Sequence, residues 1–255
     1  MRPGRIGAWA VVAFLVLPVT IVFPVALTDR RFLSLPQDGI SFRHFANLFT
    51  SEAWLSSIAQ SFVIALSSAA VAVLAGALCA IGCWRIDSRL SASVRVLMLI
   101  PLIVPTIVYA LGLYRFWITL GLLDSYLGVI IAHAVTAIPY VVILTSTALA
   151  GFDRRLEQAA RNLGASPGQA LRRIILPNIL PGLWSSAIFA FIHSWDELVI
   201  VLFIASRAIF TLPRRIWDGI NEHLDPTMAA VATLLIVLTV ALLAINPAVG
   251  ARHRP

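Results

Sequence analysis

The sequence predicts an all-α, polytopic membrane protein with six membrane-crossing helices. Three observations predict it: the share of apolar residues, the length of the apolar runs, and the placement of charge between them. Of 255 residues, 60% are hydrophobic and 12% charged, against about 45–50% apolar and about 25% charged in soluble domains. The mean hydropathy is +0.91. A helix rises about 1.5 Å per residue, so about 20 apolar residues cross about 30 Å of hydrocarbon. Six segments meet that length: Ile6 to Leu27, Ile58 to Trp84, Val96 to Tyr114, Tyr126 to Ala150, Gly182 to Ala205 and Met228 to Val249. The short alternating segments of a membrane barrel are absent from the pattern.

The first segment follows Arg2 and Arg5 and is longer than the 7–15-residue apolar core of a secretory signal, which makes it a retained span. The loop Thr28 to Ser57 carries Phe42, Phe45, Leu48 and Phe49 at the spacing of a short amphipathic helix, lying on the membrane or packed on neighbouring spans. In the second span Cys79 and Cys83, one turn apart in an apolar run, read as small hydrophobic residues. Pro18, Pro24, Pro101, Pro105 and Pro139 punctuate the spans and remove helix hydrogen bonds there. His133, in the fourth span, reads as an interhelical hydrogen-bonding residue.

Between the fourth and fifth spans, Gly151 to Pro181 reads as a helical elbow in water. Leu156, Ala159, Ala160 and Leu163 recur at i, i+3, i+4 and i+7, and Gly164 supplies a left-handed cap. Ser166, Pro167 and Gln169 then start a second helix by a capping box, and Pro177 is expected to stop it. A stripe of small residues between charged flanks suits reception of a soluble partner better than burial in lipid. Gly164-Ala165-Ser166-Pro167-Gly168 also matches a nucleophile-elbow pattern, but that chemistry needs a strand before the serine, and this serine precedes a helix. Beyond the fifth span, Ile216, Trp217, Ile220 and Leu224 form a short amphipathic segment, and Asp225 with Pro226 starts the last span.

Arginine placement orients the chain. Arg2, Arg5, Arg85, Arg89, Arg95, Arg154, Arg155, Arg161, Arg172, Arg173, Arg252 and Arg254 lie on the side of the termini. Opposite them lie Arg30, Arg31, Arg43, Arg207, Arg214 and Arg215, and Arg115 at the end of the third span adds at most one more. The positive-inside rule makes the termini and the elbow cytoplasmic. The same dispersal beside spans argues against a nucleic-acid partner, despite a pI near 10.6. All 19 basic residues are arginine. Without lysine there is no Walker-type phosphate loop and no Schiff-base cofactor, so any ATP that drives this protein binds another chain.

The fifth span alone carries acids, Asp196 and Glu197. An ionised acid at a span's centre costs about 2.5–3.5 kcal/mol on insertion scales, so both face protein or water. One reading places a carboxylate on a pathway, where it balances a cationic amine and offsets its desolvation. The other has the acids hydrogen-bond a partner subunit or a helix break. His193, at i−3 and i−4 from them, is close enough to contact either. A His193/Asp196/Glu197 proton relay in an ion-coupled secondary transporter is the alternative function.

The elbow resembles the coupling loop of bacterial ABC importer permeases, whose motif runs Glu-Ala-Ala, three residues, Gly, nine residues, Ile-x-Leu-Pro. Ala159, Ala160, Gly164, Ile174, Leu176 and Pro177 match it. Gln158 stands where the motif has Glu, and Glu157 lies one residue earlier, about 100° around the helix. His193 to Val199, Thr211 to Trp217, Asp225 to Ala230 and Ile40 to Phe49 are similar to the second permease subunit of spermidine/putrescine-type importers. The resemblance implies the type I permease fold, a bacterial inner-membrane location, and alternating access for polyamines or a related cationic or opine solute. It implies no enzymatic activity and no cofactor of the chain's own. The implied partners are a cytoplasmic ATPase dimer, a homologous permease and a substrate-binding protein outside. The ATPase-docking residues are then Glu157, Gln158, Ala159, Ala160, Leu163, Gly164, Ala165 and Ser166; the path candidates are His193, Trp195, Asp196 and Glu197.

Overall fold

Proline and glycine decide where the apolar runs bend, continue or stop. The computed structural model describes residues 3–205, 207–223 and 225–245. Among these, every regular element is helical: α1 (Pro3–Thr20), α2 (Val22–Ala26), α3 (Arg43–Thr50), α4 (Glu52–Ile86), α5 (Arg89–Ile103), α6 (Thr106–Leu120), α7 (Tyr126–Ala150), α8 (Arg154–Asn162), α9 (Pro167–Ala170), α10 (Leu176–Trp195), α11 (Val199–Ile204), α12 (Leu212–Asp218) and α13 (Thr227–Ile245). The π turns Leu171–Ile175 and Gly219–His223 lie between α9 and α10 and after α12.

Among the described residues, four stretches are long and apolar enough to cross a membrane unaided: Gly7–Ala26, Glu52–Ile86, Tyr126–Ala150 and Pro167–Trp195. The expected third span, Val96 to Tyr114, is not one rod. The α5 and α6 helices meet at an angle of 99°. Pro105 has no N–H to continue the ladder, and the residue before it is pushed out of the helical region; Val104 accordingly has ψ 125°. The expected sixth span begins as the shorter apolar helix Thr227–Val240, and its end at 246–249 lies outside the described residues, as do Arg2, Leu224, Arg252 and Arg254.

Pro177 does not stop the helix that Ser166 starts. Helical structure runs from Pro167 to Trp195 without a break. In the π turn ahead of the proline the Leu176 N–H donates to Leu171 O, five residues back. One extra residue in that turn reroutes the hydrogen bonds where a proline ring would collide with an ordinary α ladder. The fifth span therefore begins within the elbow, and it ends early. Its helix breaks after Trp195, and α11 resumes at Val199.

The chain divides into two compact units, Met1–Ser56 with Arg215–Pro255, and Ser57–Arg214. In the first, α3 buries His44 and Leu48 and leaves Phe49 exposed, as is Phe42 just before the helix. Asn47 Nδ2 donates to Thr227 Oγ1 at 2.9 Å, and Asp225 Oδ1 accepts the Thr227 N–H at 2.9 Å, so Asp225 caps α13 as expected. Ala26, Ala229 and Ala230 form the buried contact between α2 and α13.

The second unit is built on α4, α7 and α10, packed through small residues. Ala69 and Ala72 of α4 meet Ala134, Ala137 and Val141 of α7, with Ala190 of α10. A Cβ on Gly76 would sit 2.8 Å from the Val141 Cβ, and one on Gly182 would sit 2.4 Å from the Ala148 Cβ. Lipid offers no hydrophobic gain for helix association, so close backbone approach and hydrogen bonds between spans hold such a bundle. Ser68 Oγ donates to Ile130 O at 3.1 Å, and His133 Nδ1 lies 2.8 Å from Ser194 Oγ, the interhelical role expected of that histidine.

Candidate functional site

The elbow is built almost wholly from local signals. Asp153 caps α8, its carboxylate accepting the Arg155 N–H at 2.9 Å. At the other end Gly164 has φ +89°, its N–H donates to Arg161 O, and the Ala165 N–H donates to Ala160 O, both at 3.0 Å. These are the two bonds of a Schellman cap. Nothing lies within 4 Å of a Cβ built on Gly164, so the backbone angle, not lack of room, requires glycine there. Ser166 Oγ accepts the Gln169 N–H at 3.3 Å, and Gln169 Oε1 accepts the Ser166 N–H at 2.9 Å. The serine that mimicked a nucleophile elbow is a helix cap.

The stripe of α8 points away from its own chain. No residue of α8 is buried, and Leu163, just beyond it, is 90% exposed. Leu156 and Ala159 are exposed too, while Ala160 is half-buried. The opposite side is gripped by the end of α4. Arg85 Nη2 donates to Glu157 Oε1 and to Pro167 O, each at 3.1 Å. Arg154 donates to Trp84 O at 3.3 Å, and its guanidinium lies 4.7 Å from the Trp84 ring centroid. A cleft of about 330 Å³ runs between them, lined by Glu157, Gln158 and Arg161 with Trp84, Arg85, Arg154 and Pro167. Glu157 and Gln158 thus face this cleft, whereas Leu163, Gly164, Ala165 and Ser166 form the outward tip.

The four pathway candidates point in different directions. Trp195 stacks on Phe191 at 5.7 Å, and Phe191 meets Phe62 of α4 edge-on. Glu197 Oε1 accepts the Ile200 N–H at 3.1 Å and so caps α11 across the helix break. Asp196 closes α10, its N–H donating to Ile192 O at 3.0 Å, while its side chain is exposed. His193 hydrogen-bonds Thr136 Oγ1 at 3.0 Å rather than either acid, and its ring lies 5.1 Å from that of Tyr140. The expected contact of His193 with an acid is therefore not made, because Thr136 on α7 faces it directly. No direct hydrogen bond joins His193 to Asp196 or Glu197 in this geometry.

Two sets of residues were not legible as site residues. Trp84 and Arg85 sit seventy residues before the elbow in sequence and looked only like the end of a span with its orienting charge. Thr136 and Tyr140 lie in the apolar fourth span at i and i+4, a pairing that placed them on one face without saying what they met.

The model of the family described as binding-protein-dependent transport system inner membrane component matches residues 72–255. This chain belongs to that family. The permease is 31% identical to the spermidine/putrescine transport system permease protein PotC of Haemophilus influenzae, over 93% of this chain and 92% of that protein. It is 28% identical to the trehalose transport system permease protein SugB of Mycobacterium tuberculosis, over 95% and 92%. Among solved structures, the permease superposes on a bacterial ABC transporter involved in import of the acidic polysaccharide alginate, with a TM-score of 0.66, 17% identity, and coverage of 98% and 96%. The MetNI methionine ABC transporter matches with a TM-score of 0.61, 19% identity, and coverage of 74% and 90%. The permease is thus a multi-pass inner-membrane subunit of an ABC importer, with the type I permease fold, and a transport subunit rather than an enzyme. Membership replaces the ion-coupled alternative.

Proposed function

We propose that this permease moves small organic cations of the polyamine class, and that a separate ATPase drives it by gripping the elbow. The observation that carries the substrate class is Asp196, an exposed carboxylate at a helix break within an apolar span. Glu197 is committed to the α11 cap, which leaves Asp196 to meet a cation. The likeness to a spermidine/putrescine permease supports the same class. Docking of the ATPase falls to Ala159, Ala160, Leu163, Gly164, Ala165 and Ser166, with Leu156 beside them. Glu157 serves it indirectly, by holding α8 against Arg85, and Gln158 lines the cleft beside that pair.

In this reading the termini and the elbow are cytoplasmic, following the arginine distribution. A homologous permease completes the path, and a substrate-binding protein delivers the solute from outside. The test is uptake by vesicles carrying the complete transporter with its binding protein. ATP-dependent accumulation of labelled spermidine or putrescine is expected, blocked by Asp196→Asn. Accumulation of a sugar or a carboxylate instead, with Asp196→Asn indifferent, would remove the amine reading.

A further inference from the structure

Asp196 decides which face of α10 is wet. An ionised carboxylate exposed on a lone span does not face hydrocarbon, where it would cost several kcal/mol. At 100° per residue, Phe189, His193 and Asp196 fall within about 60° of one another around the helix. Trp184, Phe191 and Trp195 cluster within about 40° on the far side. That far side borders an apolar groove of about 460 Å³ whose lining includes Leu66, Val73, Trp184, Ile188 and Phe191, a surface made for lipid or for another apolar chain.

The wet face is not only acidic. Phe189 is 50% exposed, and its ring centroid lies 5.4 Å from that of the half-buried Tyr140, which lies 5.1 Å from His193. Thr136 Oγ1 donates its single hydrogen to His133 O at 3.0 Å, so the 3.0 Å contact to His193 requires the histidine Nε2–H to be the donor. A neutral His193 is then left with Nδ1 as a hydrogen-bond acceptor. From Asp196 to Phe189 the helix advances about 10 Å.

We propose that Asp196, His193, Tyr140 and Phe189 form one cation-binding strip, in which an ammonium group leaves the carboxylate, passes the His193 Nδ1 acceptor and moves over the Tyr140 and Phe189 rings toward the elbow. The strip rests on the amine reading above and extends it: Tyr140 and Phe189 enter the path, and Trp195 leaves it. Aromatic faces attract ammonium through the ring quadrupole and hold it weakly enough to release it. A carboxylate alone would bind the cation without giving it a next station.

The test uses the assembled transporter in vesicles, with Cys79→Ser and Cys83→Ser as background. Phe189→Cys and Phe191→Cys are each treated with a water-soluble, ammonium-bearing thiosulfonate. The strip predicts that Phe189→Cys reacts at least about tenfold faster than Phe191→Cys; equal rates, or the reverse order, overturn it. In the same vesicles, Phe189→Leu and Tyr140→Leu should each lower amine carried per ATP hydrolysed about tenfold, with Phe189→Tyr and Tyr140→Phe restoring it. Normal amine uptake by the leucine variants overturns the strip while the amine reading stands. If the parent vesicles carry no amine, the amine reading fails with the cation role of the strip, whatever the labelling rates.

Discussion

Arg85 and Glu157 join the end of α4 to the elbow, with Arg85 Nη2 3.1 Å from Glu157 Oε1. The same nitrogen donates to Pro167 O at 3.1 Å, so one guanidinium spans both helices of the elbow. A partly exposed pair of this kind contributes about 0–1 kcal/mol, too little to decide whether the protein folds. Its value lies in fixing the angle at which the elbow is presented. Arg85→Ala should leave the melting temperature within a few degrees of the parent and lower ATP-driven uptake. The exchange Arg85→Glu with Glu157→Arg should recover only part of the loss, because the bond to Pro167 O stays broken. Uptake and melting measured on the same preparations check this.

Gly164 holds φ +89° with open space around it. Replacement by a β-branched residue costs about 1–2 kcal/mol in that conformation, paid locally by fraying the end of α8. Gly164→Val should therefore weaken retention of the ATPase during purification, and Gly164→Asn, which tolerates the left-handed region, should weaken it less. Equal retention by both variants and the parent would show that the cap is not what the ATPase reads.

Leu163 is 90% exposed, and exchanging an exposed residue changes stability by about 0.5 kcal/mol or less. Leu163→Asp should leave the permease folded and its melting unchanged while abolishing co-purification of the ATPase. Retention of the ATPase would move the docking surface elsewhere.

The two neighbouring acids should separate cleanly by assay. Glu197→Ala removes the cap on the Ile200 N–H and should lower stability by about 0.5–2 kcal/mol. Asp196→Asn, on an exposed side chain, should leave melting unchanged and reduce amine uptake more than tenfold. Melting curves and uptake rates on the two variants decide it, and the opposite pattern would exchange the roles.

Gly182 faces Ala148 so closely that any side chain must displace α7 from α10; a Cβ would lie 2.4 Å from the Ala148 Cβ. Gly182→Ala should cost about 1–3 kcal/mol as an overpacked contact. Adding Ala148→Gly should return most of it, a coupling that thermal unfolding of the single and double variants measures.

Much of this molecule could be read from its residues. Local rules carried the elbow and the start of α13: the Ser166 box, the Gly164 cap and the Asp225 cap each depend on atoms within a few residues, and each was predicted from spacing alone. The helix tally was harder. Pro105 was visible as a breaker, but a 99° bend depends on what α6 packs against, and hydropathy is blind to direction. Pro177 misled for the opposite reason, since a π turn needs one residue more than the α ladder and leaves no mark in composition. At the site, adjacency in sequence suggested that His193 meets an acid, yet Thr136, 57 residues away on α7, is its partner. Glu197 was indistinguishable from Asp196 until the break after Trp195 gave it a helix to cap.

The extra residue at Leu171–Ile175 has a mechanical meaning. Because helix persists from Pro167 through Trp195, the segment that leaves the elbow is a crankshaft without a knuckle. A shove at its foot is delivered as rotation and tilt of the whole shaft, and the first place it can yield is the three-residue gap that holds Asp196.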